Sequence, residues 1–169
     1  MSKSLYFGYM SNMSEKRMLL SCPSAKVKSI AKLEDHKLVF VGHKGDWAGA
    51  CGNAVPSKGD LVWGVVWEIN ESDMSGLKES EKGNNIDFNV PQCKVVTPDG
   101  KKLECLLFSR PSSDADIALP SPQYVKVGIQ GAIRNKLPKS YIDTLQSVET
   151  NNNTKMTEAM EKSLYPDED

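Results

Sequence analysis

The chain has 169 residues, of which 39% are apolar and 25% are charged, and its formal net charge is −1. These values are typical of one soluble globular domain, and they give no reason to expect a nucleic acid or an acidic membrane surface as a partner. No segment approaches the roughly 18 consecutive apolar residues of a membrane span, and residues 1–4 lack the apolar core of a signal peptide, so a cytosolic location is expected.

The first predicted strand, Leu5–Tyr9, runs directly into the turn Tyr9–Asn12 and then into a helix over Ser14–Leu20, with Ser14 as N-cap. A strand that turns tightly into a helix leaves several backbone N–H groups pointing the same way. Such a place binds anions and developing oxyanions. A site is therefore predicted here, although Met10 stands where a turn of this kind usually has glycine.

The middle of the chain is rich in predicted strands. The most apolar of them, Leu61–Ile69, is continuous and is therefore predicted to be the central strand. Before it, Ser24–Leu33 and Lys37–Gly42 are predicted as two strands joined by Glu34–His36. Trp47–Val55 is predicted as a bulged strand, and Pro56–Asp60 as a turn.

Helices become more frequent towards the end of the chain. The predicted elements are a helix capped by Asn70–Asp73 and running to about Lys82, a loop over Asn84–Asn89, a hairpin of Val90–Val96 and Lys101–Phe108, a helix from Pro122 to about Lys136, and a helix presenting Tyr141, Leu145 and Val148 on one face. Residues 1–148 are predicted to form one α+β domain with a largely antiparallel, barrel-like sheet, and residues 149–169 a polar tail that is weakly helical or disordered.

The four cysteines show no metal-binding spacing, and only two histidines are present, so no metal site is expected. Cys93 and Cys105 flank the turn Thr97–Lys101, which has a glycine placed for positive φ. If Thr97 pairs with Lys101, the two cysteines lie opposite each other on one face. Two reduced core thiols are favoured over a disulfide, because disulfides are rare in the cytosol. Cys51 is interpreted as a packing residue that could lie near a pocket.

Histidine is scarce and no catalytic triad, P-loop or dinucleotide-binding motif is present, so any proton transfer falls to another side chain. Glu79 and Glu81 are candidates. Two positions apart on a helix they point about 200° away from each other, so that one can face the sheet interior. Burial there would raise the pKa of the carboxyl towards a value useful for a base. The alternative, that both are solvated surface charges, is the more common situation for helical glutamates.

Four motifs in order resemble one known family. They are a strand ending in Tyr-x-Ser-Asn, a Val-Trp-Gly-Val-Val-Trp strand, a helix ending in Leu-x-Glu-x-Glu, and a Pro-Ser-Pro-Gln-Tyr helix start. This order resembles the γ-glutamylcyclotransferase family from about Leu5 to Val148, and Leu137-Pro-x-x-Tyr141 is a further similarity.

The resemblance implies a small mixed, mostly antiparallel β-barrel flanked by helices. It implies an enzyme that converts a γ-glutamyl amide into 5-oxoproline and a free amine without a metal or organic cofactor, and homodimers are common among relatives. The catalytic glutamate falls on Glu81. The implied substrate-binding residues are Tyr6, Phe7, Gly8, Tyr9, Met10, Ser11, Asn12, Phe88, Phe108 and Tyr124.

Four positions depart from the family pattern: Met10 and Lys82 replace glycine, and Phe88 and Phe108 replace tyrosine. If position 10 has positive φ, Met costs of order 1–2 kcal/mol; if it lies close to substrate, the Met side chain would enter the pocket. Lys82 would lower the pKa of Glu81 if it lay close, but a position in water is favoured for it.

Three interpretations follow from these departures. The favoured one is an active cyclotransferase with shifted preference, for a bulkier or less polar leaving group. The second is a weak or inactive homologue that binds a γ-glutamyl ligand or a protein. The third, a structural domain without ligand, is the least favoured because Ser11, Glu81 and Tyr124 are all present.

Overall fold

The computed structural model describes residues 2–42, 47–82, 92–111 and 113–155, and for residues 80–82 it describes the backbone alone. Within these ranges the strands are β1 (Lys3–Gly8), β2 (Lys26–Val41), β3 (Cys51–Asn70), β4 (Gln92–Val96) and β5 (Lys102–Leu106). The α-helices are α1 (Glu15–Ser21), α2 (Met74–Lys82), α3 (Pro122–Arg134) and α4 (Lys139–Gln146). Short 3₁₀ turns occupy Ser11–Met13, Glu71–Asp73 and Asp114–Asp116.

The strands form a closed barrel in the order β1-β3-β2-β4-β5. Neighbours are antiparallel except at the closing contact, where Tyr6 of β1 pairs in parallel with Leu106 of β5. The prediction of a small, mostly antiparallel barrel flanked by helices is confirmed.

Strand β3 contains the apolar run Leu61–Ile69 that was predicted as a strand. It pairs with β1 on one side and β2 on the other. Val62, Val65, Val66 and Trp67 are completely buried, and they form the core together with residues of β1 and the helices. A strand covered on both faces needs apolar residues without alternation, which is the reason for the continuous pattern.

Two predicted breaks in the strands are wrong. The segment Glu34–His36 was expected to join two strands, and Pro56–Asp60 was expected to be a turn, but each lies inside one long strand. The two segments face each other: Glu34 pairs with Leu61 and His36 with Pro56, so the extra residues form an irregularity in the ladder. Asp35 and Gly59 have positive φ, and the Asp35 carboxylate accepts the N–H of Gly59 at 3.0 Å. The residues that predicted a turn thus form a bulge, and the pairing of β2 with β3 continues on both sides of it.

The hairpin of β4 and β5 agrees with its prediction. The N–H of Thr97 donates to the carbonyl of Lys101 at 2.9 Å, and Gly100 has a φ of +86°. Cys93 lies opposite Cys105, and both thiols are free. Burial raises the pKa of Cys93 to about 11 and that of Cys105 to about 12.

The predicted cap Ser14 is present, and Ser121, which was not predicted, caps α3, whereas Asn70 of the predicted cap Asn70–Asp73 makes no side-chain capping hydrogen bond. The Ser14 side chain accepts the N–H of Arg17 at the start of α1, and the Ser121 side chain accepts the N–H of Tyr124 at the start of α3. Helix α2 is held beside α1: Gly76 lies so close to the carbonyl of Ser21 that an added Cβ would come within 2.4 Å of its oxygen. Caps and close contact together set the angles at which these short helices leave the barrel.

The predicted domain boundary at residue 148 stays a prediction. Residues 149–155 form no helix, and Asn151 is hydrogen-bonded to the carbonyls of Ala48 and Pro120. The predicted loop Asn84–Asn89 and residues 156–169 of the predicted tail lie outside the described residues. Among the helices of the described ranges, none has both the length and the apolar character needed to span a membrane.

Candidate functional site

A cleft with an empty volume of about 440 Å³, its open mouth included, lies where the turn after β1 meets the start of α3 and the segment after β5. This volume suits a small-molecule ligand. The described residues that line it are Tyr6, Tyr9, Met10, Ser11, Asn12, Arg17, Trp47, Cys51, Gly52, Phe108, Arg110 and Tyr124. The structure therefore gathers residues from four parts of the sequence into one wall.

The turn after β1 is held from several sides. The Asn12 side chain donates to the hydroxyl of Tyr6 at 2.7 Å, and the indole N–H of Trp67 donates to the carbonyl of Asn12 at 2.7 Å. The N–H groups of Met13 and Ser14 bond back to the carbonyls of Met10 and Ser11. A turn tied to the central strand in this way presents a preorganised surface to a ligand.

Gly8 makes this turn possible. A Cβ added at Gly8 would lie 2.5 Å from the carbonyl oxygen of Asn12, and one added at Gly64 would lie 2.4 Å from the carbonyl oxygen of Gly8. The chain thus passes closely between the turn and strand β3, where there is no space for a side chain. Gly8 is absent from the described cavity wall, so it supports the turn through its backbone.

Phe7 does not reach the cavity in the part of the chain that the structure describes. Its side chain is completely buried and its ring lies against Gly64. Successive side chains of a strand point to opposite faces, which separates Phe7 from its neighbour Tyr6 at the cavity. Direct contact of Phe7 with substrate stays an untested prediction that this position does not favour.

Met10 has a φ of −141°, so the alternative in which a positive φ strains this residue does not apply. The side chain is 3% exposed and lines the cavity. Its Cγ lies 2.9 Å from an ideal Cβ position at Gly52, and its Cε lies 2.8 Å from the one at Gly128. Two glycines therefore leave the space that the methionine occupies.

Tyr124 lies in the first turn of α3, three residues after the cap residue Ser121. Its hydroxyl accepts the N–H of Gly52 at 2.6 Å. The ring of Trp47 meets the Tyr124 ring edge-on at 5.1 Å between centroids, and the guanidinium of Arg17 lies 5.0 Å from the centroid of Trp47. A cation over an aromatic face is held electrostatically, so this stack positions the Arg17 charge at the cavity.

Phe108 packs edge-on against Tyr6, with ring centroids 5.3 Å apart. The Tyr9 hydroxyl donates to the carbonyl of Phe108 at 2.7 Å. Two residues further on, the completely buried Asn53 side chain bonds the backbone of Arg110 twice: it accepts the Arg110 N–H at 3.1 Å and donates to the Arg110 carbonyl at 2.9 Å. The segment 108–110 is thereby fixed to both the turn and β3.

Glu81 lies in the last turn of α2, but its side chain is outside the part that the structure describes, and so is that of Lys82. Phe88 lies outside the described residues altogether. The roles assigned to Glu81, Lys82 and Phe88 therefore stay predictions. Helix α2 itself packs beside α1, which directly follows the turn.

The sequence interpretation missed four residues of the wall: Arg17, Trp47, Gly52 and Arg110. A glycine inside a strand pattern signals close approach of another group, and this signal applied to Gly52. Arg110 lies between a predicted strand and a proline, and this local sequence does not distinguish an arginine in a cavity wall from one on the surface. Cys51 lines the cavity, in agreement with the expectation that it could lie near a pocket. Among the described residues, no group of three or more His, Cys, Asp or Glu is placed to hold a metal ion.

Comparisons with known proteins agree on one relationship. A model of the AIG2-like family matches residues 61–145. The chain is 38% identical over 162 residues to gamma-glutamylcyclotransferase of Homo sapiens, which covers 93% of this chain and 85% of the relative. It is 39% identical over 151 residues to the Mus musculus protein of the same name, covering 87% and 79%. A solved structure of a gamma-glutamyl cyclotransferase superposes with a TM-score of 0.88 at 35% identity, covering 98% of this chain and 99% of that chain.

Proposed function

Because the chain belongs to the γ-glutamylcyclotransferase family, we propose that it converts a γ-glutamyl amide into 5-oxoproline and the free amine. The observation that carries the proposal is the composition of the cavity. Its wall combines the turn residues, Phe108 and Tyr124, three segments to which the sequence resemblance assigns substrate binding.

The reaction needs little from the protein beyond positioning and proton transfer. The α-amine of the glutamyl unit attacks the γ-carbonyl carbon of the same unit, which closes a five-membered ring. The bond from that carbon to the amide nitrogen then breaks, and its electron pair leaves with the amine. Attack within one molecule supplies much of the rate once the glutamyl chain is folded back.

Glu81 is proposed to move the protons. Its carboxylate takes a proton from the α-ammonium, which is charged at neutral pH, and returns that proton to the leaving nitrogen. The second proton that the attacking nitrogen loses on ring closure is taken up by the freed amine, which becomes its ammonium form. One carboxylate can perform both steps in sequence. The position of Glu81 at the end of α2, a helix packed beside α1, is compatible with this role.

The turn is proposed to bind developing negative charge. No described residue accepts a hydrogen bond from the N–H of Met10 or Ser11. These two donors belong to a turn held in place by Trp67 and Tyr6. Fixed backbone donors suit either the oxyanion on the γ-carbon or the α-carboxylate of the substrate.

A cytosolic location and a homodimer accompany this proposal. The cytosol keeps thiols reduced, which agrees with four free cysteines. A solution mass of twice 18.6 kDa by light scattering would support the dimer, and the monomer mass would contradict it. The shifted preference expected from Met10, Phe88 and Phe108 also stays a prediction.

The direct test is an assay of purified protein with γ-glutamyl-alanine that follows release of 5-oxoproline. We expect turnover in the wild type and its loss in Glu81→Gln, which keeps the size of the side chain but cannot accept the proton. Glu79→Gln, an exposed position on the same helix, is the matched control and should keep activity. Absence of turnover in the wild type on several γ-glutamyl amides would contradict the proposal and favour a binding homologue.

A further inference from the structure

The described part of the cavity wall carries charge of one sign. Among the described residues that line it, the charged ones are Arg17 and Arg110, and no described carboxylate is present in the wall. Two guanidinium groups in a partly enclosed, aromatic-rich cleft attract anions, because the low local dielectric strengthens the interaction. Such a cavity favours a ligand with more than one negative group.

Arg110 has an unused donor. Its Nη1 is buried and has no hydrogen-bond partner among the described residues. Burying a charged donor without an acceptor is unfavourable, and removal of this penalty by an incoming acceptor would strengthen binding. The planar guanidinium matches a carboxylate in shape, since two of its N–H groups can bond the two oxygens.

Two hydrogen bonds hold the backbone of Arg110 in place, so the residue cannot easily shift towards solvent. The amide of Asn53, which is completely buried, bonds both the N–H and the carbonyl of Arg110. Asn53 follows Gly52, whose N–H bonds the Tyr124 hydroxyl, so that Arg110 and Tyr124 are linked through two consecutive residues of β3. Arg110 is therefore built into the cavity wall.

We propose that Arg110 binds the carboxylate of the amino acid that leaves, and thereby makes the enzyme prefer γ-glutamyl amino acids over γ-glutamyl amines. This inference rests on the proposed function of the same cavity. It makes Arg110 a determinant of substrate specificity. It also favours a charged leaving group over the less polar one that the sequence suggested, because an apolar amine would leave Arg110 without an acceptor.

The substrate's geometry separates its two carboxylates. The α-carboxylate and the α-amine share one carbon, so the α-carboxylate stays beside the base and the turn during ring closure. The leaving group's carboxylate lies beyond the amide bond that breaks. Arg17 belongs to the helix that begins at the turn, whereas Arg110 belongs to the wall formed by β3 and the segment after β5. This arrangement assigns the leaving group's carboxylate to Arg110.

The test compares two substrates of similar size, γ-glutamyl-alanine and γ-glutamyl-ethylamine, which differ by the carboxylate. We expect the wild type to prefer γ-glutamyl-alanine in kcat/KM by at least about tenfold, the effect of one charge-assisted hydrogen-bonded pair. Arg110→Gln should bring this ratio close to one, mainly through the KM of γ-glutamyl-alanine. Arg110→Lys, which keeps the charge, should restore part of it. Arg134→Gln, an exposed arginine at the end of α3, should keep the wild-type ratio.

An unchanged ratio in Arg110→Gln, whether activity is kept or is lost equally on both substrates, would overturn the role of Arg110. Thermal unfolding of each variant checks that it is folded, and Arg110→Lys provides the second variant. Calorimetric binding of the two compounds to Glu81→Gln, which is expected not to turn them over, separates this inference from the proposed reaction. Absence of 5-oxoproline would contradict the reaction, whereas equal affinity for the two compounds would contradict the carboxylate site.

Discussion

The hydroxyl of Tyr124 accepts a 2.6 Å hydrogen bond from the backbone N–H of Gly52. This bond joins the first turn of α3 to strand β3 at the cavity wall, and it directs the tyrosine ring towards Trp47. The phenol is thus already engaged by the protein on one side.

Replacement of Tyr124 by Phe tests this contact. We expect the free energy of unfolding to fall by about 1–2 kcal/mol, because the Gly52 N–H loses its acceptor, and KM to rise. Denaturant unfolding and steady-state kinetics measure the two effects. Tyr141→Phe is the matched control: its buried hydroxyl has no hydrogen bond of normal geometry to a described residue, so stability should stay within about 0.5 kcal/mol or increase. Equal losses in both variants would contradict the assignment.

Two glycines near the cavity should differ sharply in their tolerance of alanine. In Gly8→Ala the new Cβ meets the backbone oxygen of Asn12 at 2.5 Å, so the turn must move and activity should fall at least about 100-fold. In Gly128→Ala it meets the Cε of Met10 at 2.8 Å, the end of a flexible side chain that can rotate, so activity should remain within about threefold. Activity assays with thermal unfolding compare the two. Near-wild-type activity in Gly8→Ala as well as in Gly128→Ala would show that the backbone contact at Gly8 is unimportant.

Met10→Gly separates the packing role of Met10 from its effect on turnover. The side chain is 3% exposed and fits against Gly52 and Gly128, so its removal should lower the free energy of unfolding by about 2–5 kcal/mol. The opened wall should nevertheless raise turnover of γ-glutamyl amino acids. Met10→Leu, which conserves volume, should cost less than about 1.5 kcal/mol and leave turnover near wild type. If turnover in Met10→Gly does not rise while the protein is folded, Met10 does not restrict the substrate.

Phe108→Tyr restores a hydroxyl that the sequence resemblance expects. Phe108 lines the cavity with 4% exposure and packs edge-on against Tyr6. A new hydrogen bond to substrate or to Glu81 is worth roughly 0.5–1.5 kcal/mol, so kcat/KM should rise about 2- to 12-fold. A fall in kcat/KM, with normal thermal stability, would show that the hydroxyl finds no partner there.

The facing thiols of Cys93 and Cys105 predict a loss of stability at alkaline pH. Burial raises their pKa values from 9.0 to about 11 and about 12. Below pH 9 both the folded and the unfolded chain keep these protons, so the contribution is fully present. Above pH 9 the unfolded chain releases them first, and the free energy of unfolding falls as pH rises towards the folded values.

Denaturant unfolding between neutral pH and pH 11 measures this slope. The double variant Cys93→Val with Cys105→Val should lose stability less steeply, because valine has no proton to release. The difference between the two curves isolates the thiols from the other groups that titrate in this range. Parallel curves would contradict the raised pKa values.

Elements whose signals are local can be predicted from the order of residues alone. The apolar run of β3, the turn between β4 and β5, and the cap Ser14 are each defined by contacts within a few residues, and each was predicted. The Tyr-x-Ser-Asn turn was also recognised as a site from its position between a strand and a helix. Capping hydrogen bonds and the spacing of apolar residues depend on residues that are close together in the sequence, so they can be predicted from it.

The completion of the cavity depends on contacts between residues that are far apart in the sequence. The bonds of Tyr9 to Phe108 and of Asn53 to Arg110 join residues 99 and 57 positions apart, and no local pattern records such a pairing. The negative φ of Met10 and the space that Gly52 and Gly128 leave for its side chain depend on how α3 packs on the barrel. Barrel closure and strand register place these groups together, because side chains far apart in sequence meet only when the sheet is formed.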